Sequence, residues 1–180
     1  MRDQPKLGLA GQFSNIKPNS FWIYVFVSPL FSDTQRTEII DSTIALFGRN
    51  FQLYHSTSRL TGLTRGGYAF EKGNYYNLNR FPDGSYVEEN YLKDDCKIGK
   101  VWTSTKKTGN VSLTFTHKVT ENGITKIVRN QTFKNVVHVR ITSSLGTTDN
   151  YYAPEVGLIK CEMQMNSLVF TGELLSYNLK

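Results

Sequence analysis

Three histidines, two cysteines and two pairs of adjacent carboxylates are the residues of this 180-residue chain that could do chemistry. His55, His117 and His138 could ligate a metal only if their strands were neighbours and their rings converged. His117 belongs to an apolar alternation, whereas His138 alternates with Val137 and Val139. The two are therefore expected on opposite faces, and no metal site is expected. Cys96 follows Asp94 and Asp95, whose charges oppose thiolate formation, so it is a poor nucleophile. Cys96 and Cys161 are a disulfide candidate; closing the intervening loop would stabilise by about 4 kcal/mol on chain entropy. The alternative is two separate thiols, one of them buried. Glu88-Glu89 and Asp94-Asp95 are adjacent pairs, and neighbours on a strand project to opposite faces, so neither pair can flank one scissile bond. No Gly-x-Ser-x-Gly occurs, and Gly66-Gly67 is not followed by the Lys-Ser/Thr of a phosphate loop. Asn110-Val111-Ser112 and Asn130-Gln131-Thr132 match the glycosylation acceptor pattern, which is common by chance. No catalytic residue and no cofactor site is expected.

The elements that carry these residues read as strands. Ten Tyr and eleven Phe contribute to an aromatic content of 13%, and ring and branched side chains pack well on a pleated surface. Residues 1–18 form an irregular lead-in, and residues 19–180 a single β domain. Phe21-Trp22-Ile23-Tyr24-Val25-Phe26-Val27 is apolar on both faces and ends at Ser28-Pro29. Arg36 to Phe47 reads as a strand, although Ile39, Ile40, Thr43, Ile44 and Phe47 also fit a helical period. Val111 to Val119 alternates strictly, and Asn122-Gly123 is a turn signal. Burial favours a three-residue loop, Glu121 to Gly123, over a two-residue one. That register pairs Thr120 with Ile124, His117 with Ile127 and Val111 with Phe133, with Gly123 in the left-handed region. Ten to twelve strands with short connections and no intervening helical pattern argue an all-β chain with at most one or two short helices. A meander of that size must curl, so a half-barrel or open barrel is expected.

Net charge is +6, without a basic run. That is a solvated surface rather than a nucleic-acid footprint. No apolar stretch is long enough for a transmembrane helix. Trp22, Tyr24 and Phe26 share one face of the first strand, and Phe21, Ile23 and Val25 the other. Such a strand is either core on both sides or lines an apolar groove. Trp22, Tyr24 and Phe26 are accordingly the candidate face for a lipid or other apolar ligand.

Three segments also carry a resemblance. Asn19-Ser20-Phe21-Trp22-Ile23-Tyr24, Gly99-Lys100-Val101-Trp102 and Tyr151-Tyr152-Ala153-Pro154-Glu155-Val156-Gly157-Leu158-Ile159-Lys160 together resemble a group of bacterial envelope proteins, many of them lipoproteins, common in the Bacteroidetes. Glu155 stands where Gly is frequent in that group, and Ser20 where Gly usually precedes Trp-x-Tyr. The resemblance implies a curled antiparallel sheet similar to the half-barrel of periplasmic lipoprotein carriers. It implies export to the periplasm or outer membrane, with a signal peptide missing from this sequence, and no known reaction. It leaves two roles open: binding an apolar or amphipathic ligand, or serving an envelope protein partner.

Overall fold

Strand-forming residues dominate so completely that the described residues contain no helix. The structure, a computed structural model, describes residues 13, 16–108, 111–166 and 168–180. The strands are β1 (Phe21–Val27), β2 (Ser32–Leu46), β3 (Arg49–Ser58), β4 (Gly62–Glu71), β5 (Asn74–Arg80) and β6 (Tyr86–Lys93). They continue with β7 (Val101–Thr108), β8 (Val111–Val128), β9 (Gln131–Ser143), β10 (Gly146–Ala153), β11 (Gly157–Met165) and β12 (Leu168–Asn178). All twelve belong to one antiparallel sheet in the order β6-β5-β4-β3-β2-β1-β12-β11-β10-β9-β8-β7. This is the curled all-β meander expected, carried almost to closure. Arg36 to Phe47 is strand rather than helix, and β1 lies between β2 and β12.

Short connections are what make the meander. Phe47-Gly48 and Lys72-Gly73 both have positive φ (51° and 77°, 50° and 75°). Those values give two-residue turns whose twist matches the flanking strands. The sheet ends, β6 and β7, face each other across one seam without a ladder. Side chains bridge it: Trp102 Nε1 donates to the Asn90 carbonyl at 3.0 Å, and Lys106 Nζ lies 2.6 Å from Glu89 Oε2.

The Asn122-Gly123 reading requires correction. β8 runs through that position without turning, and the hairpin closes at Arg129-Asn130, with Val128 opposite Gln131. His117 faces Ile141 of β9, not Ile127. Val111 pairs with Thr108 of β7 rather than with Phe133, which faces Lys126. Gly123 does adopt φ +74°, but as part of an irregularity between Glu121 and Ile124. The physical reason is the β6–β7 connection, which docks there. Gly99 N–H donates to the Val119 carbonyl, Val119 N–H to the Lys100 carbonyl, and Asn122 Nδ2 to the Cys96 carbonyl at 2.8 Å. A bulge with an outturned Asn thus consumes the signal that normally marks a turn.

Beyond its last pair with β10, the β8–β9 hairpin reaches across to β12. Arg129 approaches Glu173 at 3.8 Å, Gln131 Nε2 donates to the Leu175 carbonyl, and Phe133 meets Tyr177. Val128, Phe133 and Val136 join a core cluster with Trp22, Ile159 and Leu174. Two residues of the lead-in are also core: Phe13 is 2% exposed and Ile16 3%. Phe13 packs edge-on against Tyr75, donates its backbone N–H to Tyr75 Oη and belongs to the cluster of Leu92, Trp102 and Val119. The remainder of positions 1–15, and Asn110 of the first glycosylation acceptor pattern, lie outside the described residues.

Candidate functional site

Alternation along each strand sends every second side chain inward, and these chains surround a cavity of about 370 Å³. Trp22, Tyr24 and Phe26, the candidate ligand face, all line it. Trp22 is anchored by Nε1 donating to the Val156 carbonyl at 2.8 Å, and Tyr24 by its hydroxyl donating to the Leu158 carbonyl at 2.9 Å. Carbonyls are available there because the chain enters β11 on Gly157, at φ +87°. A Cβ at Gly157 would lie 3.1 Å from the Phe13 carbonyl oxygen, so glycine permits the lead-in to pass closely.

The two walls differ in chemistry. On β1, β10, β11 and the lead-in, the lining is Trp22, Tyr24, Phe26, Tyr152, Leu158 and Phe13, joined by Asn150. On β2–β6 it includes Gln35, Thr37, Ser56, Asn77, Asn79 and Glu89. Thr37 Oγ1 and Ser56 Oγ are hydrogen-bonded at 2.8 Å, Gln35 Nε2 also donates to Ser56 Oγ, and Tyr54 Oη donates to Asn77 Oδ1 at 3.2 Å. A chain of tyrosines connects the walls. Tyr54 stacks on Tyr68 (4.7 Å between centroids), Tyr68 meets Tyr91 (6.3 Å), and Tyr91 meets Tyr152 across the interior (5.9 Å). Burial alone raises the Tyr68 phenol to about 12, and it also pushes Tyr91 well above its ordinary value. These hydroxyls therefore stay protonated.

The cavity is closed at one end and open at the other. Phe13, Ile16, Trp22 and Val156 are all buried. At the opposite end Phe26, Gln35 and Asn79 are half-buried and Thr64 is exposed. The open end is the one bearing the β1–β2, β3–β4, β5–β6, β9–β10 and β11–β12 turns.

A polar cluster missed by sequence reasoning borders the seam. Ser104 Oγ lies 2.8 Å from His117 Nε2, Glu89 Oε1 lies 3.9 Å from the same nitrogen, and Trp102 stacks on the imidazole at 5.0 Å. The residue types are those of a hydrolase relay, but the geometry is not. A relay needs the nucleophile on one ring nitrogen and the orienting acid on the other. Here both approach Nε2, and the buried Nδ1 has no hydrogen-bond partner among the described residues. Burial lowers the His117 pKa to about 4, leaving it neutral. Sequence reasoning missed the cluster because Glu89 of β6 joins Ser104 and His117 of the β7–β8 hairpin only across the seam.

The remaining candidates stay apart. His138 is bound by Glu121 through Nδ1 (2.9 Å) and by Asp149 through Nε2 (2.7 Å), so the carboxylates face opposite sides of the ring and cannot share an ion with it. His55 sits on β3 between Glu38 and Arg65. Among the described residues no group of three His, Cys, Asp or Glu suits a metal. Glu88 pairs with Arg49, whereas Glu89 lines the cavity, as strand alternation requires. Cys96 and Cys161 are unbonded. Cys96 lies in the β6–β7 connection, where burial and then Asp94 and Asp95 push its thiol up to about 12. Cys161 lies on β11 opposite Gly172, with its own thiol raised by burial.

No family model and no curated protein matches the chain. Two solved structures share its fold. One is a protein from Parabacteroides distasonis ATCC 8503 described as a "putative lipoprotein", with TM-score 0.60 and 12% identity. The other is a "putative exported protein with YmcC-like fold" from Bacteroides fragilis NCTC 9343, with TM-score 0.61 and 12% identity. Each match covers 94% of this chain and 100% of the other. The curled antiparallel sheet implied by the Bacteroidetes resemblance is thus the fold of solved proteins from that group.

Proposed function

We propose that this is a non-enzymatic protein of the bacterial envelope that holds one uncharged amphipathic molecule inside its barrel. The observation that carries the reading is the cavity itself: about 370 Å³, open at one end, lined by aromatic rings throughout and by amides and hydroxyls concentrated on the β2–β6 wall. That volume lies at the small end of the range for small-molecule sites, about 300–1,000 Å³. It suits a single chain or ring system rather than a diacyl lipid. Absence of charge follows from the lining. The carboxylate of Glu89 is held by Lys106 at 2.6 Å, and among the described residues no lysine or arginine lines the cavity to receive an anion. An envelope address is supported by the lipoprotein and exported descriptions of the two structural relatives.

Native mass spectrometry of the purified protein tests this, followed by extraction and identification of what dissociates. The expected result is a small neutral adduct that is lost when Phe26→Trp or Thr37→Trp fills the cavity. Uniformly ligand-free protein that also fails to take up an apolar fluorescent probe would refute it.

A further inference from the structure

Among the described residues, six of the twelve exposed large apolar ones ring the open mouth of the barrel. Leu30 (76% exposed), Leu60 (54%) and Leu145 (48%) occupy the tips of the β1–β2, β3–β4 and β9–β10 turns. Val27, Leu63 and Val169 lie at the strand ends beside these and the β11–β12 turn. The three tip leucines share a second property. Each has its own backbone N–H bonded to a side-chain oxygen: Leu30 to Ser28 Oγ (3.2 Å), Leu60 to Asp33 Oδ2 (3.1 Å) and Leu145 to Ser143 Oγ (3.2 Å). These side-chain bonds fix the turn conformations, so the leucines stand on ordered tips. Asp33 also accepts from Arg59 N–H at 3.3 Å, which ties the β3–β4 turn to β2 and presents Leu60 on a fixed loop. Arg59, Arg80 and Lys107 are exposed at the same end, against Asp83 as the exposed acid of its turns. Apolar tips flanked by cations match an interface of acyl chains beneath anionic headgroups.

We infer that the mouth docks on a lipid surface bearing anionic headgroups, with Leu30, Leu60 and Leu145 as the inserting residues. The barrel then stands mouth-down, and its cavity opens into the acyl region. This goes beyond ligand binding and does not depend on it, because docking needs only the outer rim.

The test is co-sedimentation of the purified protein with phosphatidylcholine vesicles, with and without phosphatidylglycerol. Two multiple variants are compared with wild type: Leu30→Ser/Leu60→Ser/Leu145→Ser at the mouth, and Phe47→Ser/Ile98→Ser at the opposite end. Wild type should bind, more tightly with phosphatidylglycerol and less tightly at high salt. The mouth variant should bind about a thousandfold more weakly, at about tenfold per leucine, and the opposite-end variant should bind like wild type. Leu30→Glu alone, at a residue 76% exposed, supplies a variant that folding cannot compromise, and it too should lose binding. The inference is overturned if wild type ignores both vesicle types. It is also overturned if the opposite-end variant is the one that loses binding. Self-association of wild type, abolished in the mouth variant and unaccompanied by vesicle binding, would overturn it in favour of a second copy of this chain.

Discussion

Protonation of His117 is expected to unlatch the seam side of the barrel, and its cost can be worked from the structure. The side chain is fully buried, stacked on Trp102 and bonded to Ser104. Burial lowers its pKa from 6.5 to about 4; Glu89 pulls upward and Lys106 downward, and burial dominates. The unfolded chain therefore takes up this proton near pH 6.5, whereas the folded chain resists until about pH 4. Between those values the unfolded state binds more protons, so stability falls as pH drops. A gap of 2.5 units between 6.5 and about 4 corresponds to a limiting loss of about 3 kcal/mol. About 2 kcal/mol of it is gone by about pH 5, and almost none is lost above about pH 7.5. Urea unfolding of wild type and His117→Gln across that span isolates the effect, because every other carboxylate and histidine titrates in both proteins. Wild type should lose about 2 kcal/mol more than the variant between the two ends of that range. Parallel stability curves would refute the argument. A wild type that gains relative stability at low pH would mean that the attraction of Glu89 outweighs burial.

Other substitutions test the frame around the site. Trp102→Phe removes the hydrogen bond to Asn90 across the seam; it should cost about 1 kcal/mol and speed amide exchange selectively in β6 and β7, read by hydrogen-exchange NMR. Gly172→Ala would place a methyl 2.7 Å from Cys161 Sγ and 2.5 Å from Phe26 Cε1; overpacking of about 1–3 kcal/mol is expected in thermal unfolding. Arg129→Gly relieves a side chain held at φ +53° in the β8–β9 turn. It should raise the urea midpoint by the equivalent of about 0.5–1 kcal/mol, less whatever the Arg129–Glu173 pair contributes.

Much of this architecture was legible because the signals are local. Phe21 to Val27, apolar on both faces, reads as a strand from its own residues, and Glu88-Glu89 had to diverge. The Asn122-Gly123 turn was misplaced because its decisive partner is distant. The Cys96 carbonyl and the Gly99-Lys100 backbone occupy the bulge and carry β8 onward to Arg129, and no window on the sequence contains both halves of that contact. The same reason hides the Ser104, His117 and Glu89 cluster, whose members come from three strands meeting at the seam. A polar interior wall and an outer surface impose the same alternation, so only closure of the sheet reveals which face of β2–β6 is inside.

Closure also explains why a cavity exists and what limits it. An eight-stranded ring is about the width that wall side chains can fill, and twelve strands enclose more. The chain offsets the excess with large inward rings from Trp22, Tyr24, Tyr68, Tyr91 and Tyr152, and with Phe13 supplied from outside the sheet. Phe13→Ala should therefore behave unlike an ordinary core truncation. Its ring already borders the cavity, so the vacated space joins that open volume rather than leaving a sealed void. The penalty should approach the transfer term alone, about 2–3 kcal/mol, below the about 3–5 kcal/mol typical of a buried Phe→Ala change. Uptake of a bulkier apolar probe should rise in the same variant. Measured by urea unfolding and probe fluorescence, an unchanged stability would show that the lead-in does not plug the barrel. A loss of 5 kcal/mol or more would show that this end is sealed from the cavity.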